Sequence, residues 1–194
     1  DERADTVALD IETKYDKEDD RSHPFSDQIL CIGLGYEDSH AYVLTSNALT
    51  PQLKWPKYTR WLYHNGQFDT QEIAQHLGAW LPISHDTMLQ SYTLDERSER
   101  GLHKLKHLAR EFVGADFYEE EEHHDNLNDI YEYNAKDVCY TYRLHNLFST
   151  KQAQDQVSNP YESLLLPASE MLARSQYRGI YINQENVNHI EVTF

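Results

Sequence analysis

Thr6–Lys14 reads TVALDIETK, and its alternation decides the fold. Successive side chains of a strand point to opposite faces. Val7, Leu9 and Ile11 therefore make one apolar face, while Asp10 and Glu12 share the other. Two like charges side by side repel and resist burial. A core strand that ends in such a pair needs a partner for the charge. With 33 acidic residues among 194, an Asp-x-Glu match alone is common by chance, so the partner must be sought elsewhere in the chain.

The totals set limits on that search. A chain of 194 residues that is 39% hydrophobic and 26% charged can bury a real core, as one domain or one domain with part of another. No apolar run approaches the roughly 18 residues of a membrane span, and no secretory segment is visible. Cys31 and Cys139 lie in apolar runs without C-x-x-C spacing, which favours a reducing compartment over a disulfide or zinc framework. The net charge of −16 argues against an ordinary nucleic-acid binder, which is usually basic. Much of the acid is local, in YDKEDD (15–20) and EEEEHHD (119–125), runs that read as solvated loops. GLHKLKHLAREF (101–112) reverses the sign with Lys104, Lys106 and Arg110; a phosphate-tracking patch and a plain amphipathic helix both fit it.

Outward from the first strand, about Asp5–Thr13, a charged loop leads to QILCIGLGYE and SHAYVLT, two further strands with a turn near Glu37–Ser39. A Pro-punctuated stretch follows, then a short strand Trp61–Asn65, a break at Gly66 and a helix over Asp69–Leu77. WLPISHDT makes a fifth strand, and helices follow at about Met88–Leu94, Gly101–Phe112 and Leu127–Leu147. Short connections pair the first three strands antiparallel, and helical crossovers add the last two in parallel. The expected fold class is α/β, a mixed five-stranded sheet flanked by helices. After about Ser149 the polar TKQAQDQVSNP reads as a linker, followed by a helix, a turn at Gly179 and a short strand IYI. The expected division is therefore 1–150 and 151–194, the second part a piece of something longer.

YHNGQFDTQEI (63–73) places Asn65 at a strand end and Asp69 at a helix start, where capping alone explains an Asp. EYNAKDVCYTYRL (132–144) places Tyr133 and Asp137 four apart on one helical face, where a plain Tyr–Asp contact also fits. Jointly, DxE, NxxxD and YxxxD in this order resemble the proofreading 3′–5′ exonucleases of the DnaQ-like, RNase H-like superfamily, in the version with Tyr in its third motif. HDTMLQSYTLDE (85–96), the Gly101 segment and the tail LLLPASEMLARSQYRGIYINQENV are similar to family A DNA polymerases of the bacterial DNA polymerase I type.

That resemblance implies two-metal-ion hydrolysis of a DNA 3′ end, single-stranded or mismatched, releasing nucleoside 5′-monophosphates. Two Mg2+ or Mn2+ ions about 3.5–4 Å apart would turn the repelling carboxylates into a binding site. It implies that Asp10 bridges both ions, that Glu12 and Asp137 complete the first site and that Asp69 holds the second. Tyr133 would orient the attacking water. Thr13 and Asn65 would contact the terminal nucleotide. Phe117 would wedge against its base, unless it is only an apolar loop anchor. It further implies a covalently attached polymerase domain, a monomer, no membrane, and a cytoplasmic setting in a bacterial or phage-infected cell. Binding to DNA by this chain alone should be weak and salt-dependent.

Two rival readings stand beside this one. An RNase D-type exoribonuclease shares the three motifs, though the tail after Ser149 points away from it. A silent domain that only holds primer ends would have lost its carboxylates, and here all four are present with the Tyr. His103 and His107, spaced i,i+4, and the pair His123–His124 lack HExxH or a Cys partner, which argues against zinc and for surface or phosphate-facing roles.

Overall fold

The computed structural model describes residues 6–14, 25–26, 28–97, 99–116, 126–183 and 187. β1 (Thr6–Lys14) is the central strand of a five-stranded sheet. It pairs antiparallel with β2 (Gln28–Gly35), which pairs antiparallel with β3 (Ala41–Thr45). On its other side β1 runs parallel to β4 (Arg60–Tyr63), and β4 parallel to the two-residue β5 (His85–Asp86). The order β3-β2-β1-β4-β5 is the mixed sheet expected from the connection lengths.

The two faces of β1 have separate fates. Leu9 and Ile11 are buried in the main core with Ile73 and Leu77 of α1 (Gln67–Leu77) and Ala173 of α6 (Leu166–Arg178). Each fully buried aliphatic side chain of that face contributes roughly 1.5–3 kcal/mol. The opposite face carries Ala8, which packs with Leu62 and with Val138 of α4 (Leu127–Gln154). Asp10 and Glu12 lie on that second face, so the apolar set holds the strand while the carboxylates are turned toward α4. A third cluster joins Leu105 and Leu108 of α3 (Leu105–Val113) to Leu144 and Phe148 of α4. α2 (Thr87–Leu94) also lies against α4 and starts at an Asp86 cap whose carboxylate accepts from Met88 N and Leu89 N.

Three expectations are corrected. The helix foreseen from Gly101 starts at Leu105, because Gly101 adopts φ 88° and Lys104 is extended, leaving a turn ahead of the helix. α4 does not stop near Leu147; it continues through the polar TKQAQ stretch to Gln154. The cause lies in Gln152, which is buried, accepts from Gln90 Nε2 at 3.1 Å and donates to Thr93 Oγ1 at 2.5 Å. IYI (180–182) forms no strand; these residues are largely exposed, Ile180 at 91%. Between α4 and α6 the chain makes one turn of helix, α5 (Ser158–Pro160), then a π-helical segment, Tyr161–Leu165.

Candidate active site

Asp10 and Glu12 of β1 and Asp137 of α4 each bring a carboxylate oxygen to one point, all within 4.8 Å of one another. α4 gets this close because β2 presents Gly33 and Gly35 beneath Asn134 and Val138. Gly33 is the cross-strand partner of Asp10, and a Cβ there would lie 2.4 Å from Asn134 Oδ1. In the space so left, Asn134 is fully buried and its Nδ2 donates to Asp10 Oδ2 at 2.8 Å and to Asp10 O at 3.2 Å. β2 carries one extra residue, Leu30, opposite the Glu12/Thr13 step, so the ladder breaks just where the acidic face ends.

Asp69 approaches from α1. It is buried, and its Oδ1 accepts from Ile11 N at 3.1 Å. This is not the capping role that its sequence position allows, since Gly66 occupies the cap and no side chain closes it. Burial pushes the Asp69 carboxyl up to about 8; the charges of Asp86 and Glu12 add to the rise, while its own amide and that of Ile11 oppose it. Asp10 is held well above the usual carboxylate range, first by desolvation and then by the charges of Asp69, Asp137 and Glu12, against the Asn134 amide. Three hard oxygen donors from two elements converge, with Asp69 beside them acting on Asp10 through its charge, and this set fits a divalent cation such as Mg2+ or Mn2+.

Tyr133 stands one turn before Asp137 on α4, and Lys106 of α3 donates from Nζ to its hydroxyl with the ammonium 4.2 Å from the ring centroid. Thr13 follows the ladder break half-buried. Asn65 has φ 65° and an exposed side chain. It lines a surface cavity of about 320 Å3 with Phe68, itself 40% exposed and adjacent to Asp69. Phe117, His123, His124 and both acidic runs lie outside the described residues. The ring nitrogens of His103 meet Ser91 Oγ at 2.9 Å and Arg97 O at 2.8 Å. His107 pairs with Glu111 at 3.1 Å.

Sequence reasoning missed Asn134, Phe68 and Asp86, and it read Lys106 as part of a phosphate-tracking patch or a plain amphipathic helix rather than as a partner of Tyr133. Asn134 was within reach, being i−3 from Asp137 on the same helical face. Phe68 was signalled only by its adjacency to Asp69. Asp86 is a different kind of acid, fully buried and accepting from Asn65 N at 3.2 Å and Gly66 N at 2.9 Å besides its cap bonds. Burial raises its carboxyl while these amides pull it back, so it fastens the turn that leads into Asp69.

A mixed sheet whose central strand turns two carboxylates toward an acid on a packed helix is the layout of RNase H-like nucleases. The chain belongs to the 3′-5′ exonuclease family of family A DNA polymerases, whose model matches residues 2–152. It is similar to the DNA polymerase of Escherichia phage T5, at 31% identity over 159 residues, or 67% of this chain and 18% of that protein. The chain thus spans under a fifth of that relative's length. Among solved structures it is similar to Pol1 of M. smegmatis in complex with DNA primer-template and dNTP, with TM-score 0.72 and 13% identity over 96% of this chain and 30% of that one. It is also similar to Brucella melitensis NrnC with bound Mg2+, with TM-score 0.66 and 20% identity over 93% and 90% of the two chains. These structural likenesses show the fold. Among the described residues no helix is long and apolar enough to cross a membrane.

Proposed function

We propose that this exonuclease removes nucleotides one at a time from single-stranded or mismatched DNA 3′ ends, releasing nucleoside 5′-monophosphates, as the proofreading part of a family A DNA polymerase. The observation that supports it most is the convergence of Asp10, Glu12 and Asp137 on one point, with Asp69 close enough for its charge to act on Asp10. Two divalent ions, Mg2+ or Mn2+, would supply four positive charges to stabilise the attacking and departing oxygens. Asp10, Glu12 and Asp137 would hold the first ion and Asp69 would help to hold the second. Asn134 fixes the Asp10 carboxylate in the rotamer that faces the cluster. Tyr133 orients the attacking water by a hydrogen bond. Thr13, Asn65 and Phe117 contact the terminal nucleotide, and Phe68 offers its ring to a base, a contact that tolerates any sequence. The segment after residue 150 is the passage toward a polymerase domain, and the DNA affinity that a chain of net charge −16 lacks comes from that domain.

A 5′-labelled oligonucleotide tests the reading, as DNA and as matched RNA, with Mg2+ or Mn2+ and with EDTA. Stepwise shortening of DNA from the 3′ end, abolished by chelator and by Asp10→Asn, is expected. Faster shortening of RNA would move the assignment to an exoribonuclease. Absence of both cleavage and metal binding by calorimetry would move it to a silent domain.

A further inference from the structure

We propose that Lys106 is a positioning residue of the exonuclease reaction, acting through Tyr133. This rests on the role given to Tyr133 above. The geometry begins in the α3–α4 seam, where Leu105 and Leu108 pack against Leu144 and Phe148. That packing fixes α3 along α4 and delivers Lys106, between the two leucines, to Tyr133, which lies eleven positions before Leu144 on α4.

Lys106 holds the phenol at its hydroxyl end. Its ammonium donates to the hydroxyl oxygen and also stands 4.2 Å from the ring centroid. A charge-assisted hydrogen bond at the hydroxyl favours one placement of the ring. The donor inventory then sets the direction of the remaining bond. An ammonium has donors and no acceptor, whereas a phenol hydroxyl has one proton to give. With the Lys106 ammonium donating to the oxygen, the phenol's own proton is not directed at Lys106. Asp137 lies one turn further along the same helix, so the acidic cluster is the neighbour on that face. In this scheme Lys106 fixes the oxygen and the Tyr133 proton serves the attacking water. Lys106 touches no reacting atom in this scheme; it sets the phenol that does.

The competing role for Lys106 is a direct contact to a DNA phosphate, and the two roles diverge in a double-mutant cycle. The measurements are the maximal single-turnover rate and the half-saturating concentration of single-stranded DNA in Mn2+, for the wild-type chain, Lys106→Met, Lys106→Arg, Tyr133→Phe and Lys106→Met/Tyr133→Phe. Lys106→Met should lower the maximal rate about ten-fold, the size of one charge-assisted hydrogen bond, with half-saturation changed less than about two-fold. Lys106→Arg should recover most of that rate, since a guanidinium also donates to the phenol. In the Tyr133→Phe background the Lys106→Met change should cost nothing further. An undiminished Lys106→Met effect in that background, appearing as weaker half-saturation and a shallower salt dependence, would overturn the proposal and make Lys106 a phosphate ligand. An unchanged maximal rate in Lys106→Met would also overturn it. Should Tyr133→Phe itself leave the rate untouched while Asp10→Asn abolishes it, the role of Tyr133 fails and the Lys106 proposal with it, although the metal cluster stands. Lys106→Gln repeats the cycle if the Met variant does not fold.

Discussion

Replacing Asp69 by Asn should stabilise the metal-free protein, and more so at alkaline than at acid pH. The carboxyl is buried and its proton is held up to about 8, against 3.8 for the free group. Between those values the folded protein binds more protons than the unfolded chain, so stability falls as pH rises through about 4 to 8. At about 1.4 kcal/mol per pH unit, the accumulated penalty is about 2 kcal/mol at pH 5.5 and about 5 kcal/mol at pH 8. Asn keeps the oxygen that accepts from Ile11 N and removes the ionisation. The gain from Asp69→Asn should therefore be larger at pH 8 than at pH 5.5 by about 3 kcal/mol. Urea unfolding in EDTA, followed by tryptophan fluorescence at the two pH values, measures it. An equal gain at both, or a loss at pH 8, would refute the account of Asp69 as a desolvated acid awaiting a cation.

Metal binding should show the complementary behaviour: Mn2+ at about 100 times its Kd should add about 2.7 kcal/mol to wild-type stability, and Asp10→Asn should lose most of that increment in a thermal melt. Gly33→Ala would drive its methyl into Asn134, which stands 2.4 Å from that point. It should cost about 1–3 kcal/mol by overpacking and should weaken metal binding in calorimetry, because Asn134 can no longer orient Asp10. Asp86→Ala removes the acceptor of four backbone amides and should destabilise by about 2–4 kcal/mol in the same urea assay. Since Asp86 also shapes the turn before Asp69, that variant should lose hydrolysis of single-stranded DNA at temperatures where it is still folded.

Much of the architecture was legible in the order of elements, because strand parity and connection length are local properties. The parity of TVALDIETK alone separated the core face from the acidic face, and Leu9 and Ile11 are buried while Asp10 and Glu12 meet Asp137. The Tyr133–Asp137 spacing likewise fixed a common helical face. What escaped depends on contacts between distant residues. Gly33 has no local signal that an amide from α4 must fit above it, and Asn134 and Asp10 are 124 positions apart. The polar stretch at the end of α4 read as linker because its Gln152 is matched by Gln90 and Thr93 of α2, which composition cannot reveal. Asp86, at the end of β5, and Asp69, in α1 after β4, are both buried acids, and the four amides around the first distinguish a structural carboxylate from one beside the acidic cluster.

The fastening of α6 has a consequence for how this protein can be cut. Glu170 accepts from Trp80 Nε1 at 2.7 Å and from Ile83 N at 3.0 Å, and Gln67 reaches Ser169 at 3.1 Å. Just before α6, the Tyr161 hydroxyl receives the amide of Asp86 at 2.9 Å. A fragment trimmed at residue 150 would strip the cover from Ala173's seat in the main core and leave those donors without acceptors. A minimal version that keeps these contacts runs at least to Arg178, the end of α6. The same run of hydrogen bonds continues from Tyr161 through Asp86 to the turn before Asp69, so trimming the chain ahead of Tyr161 also removes a support of that turn.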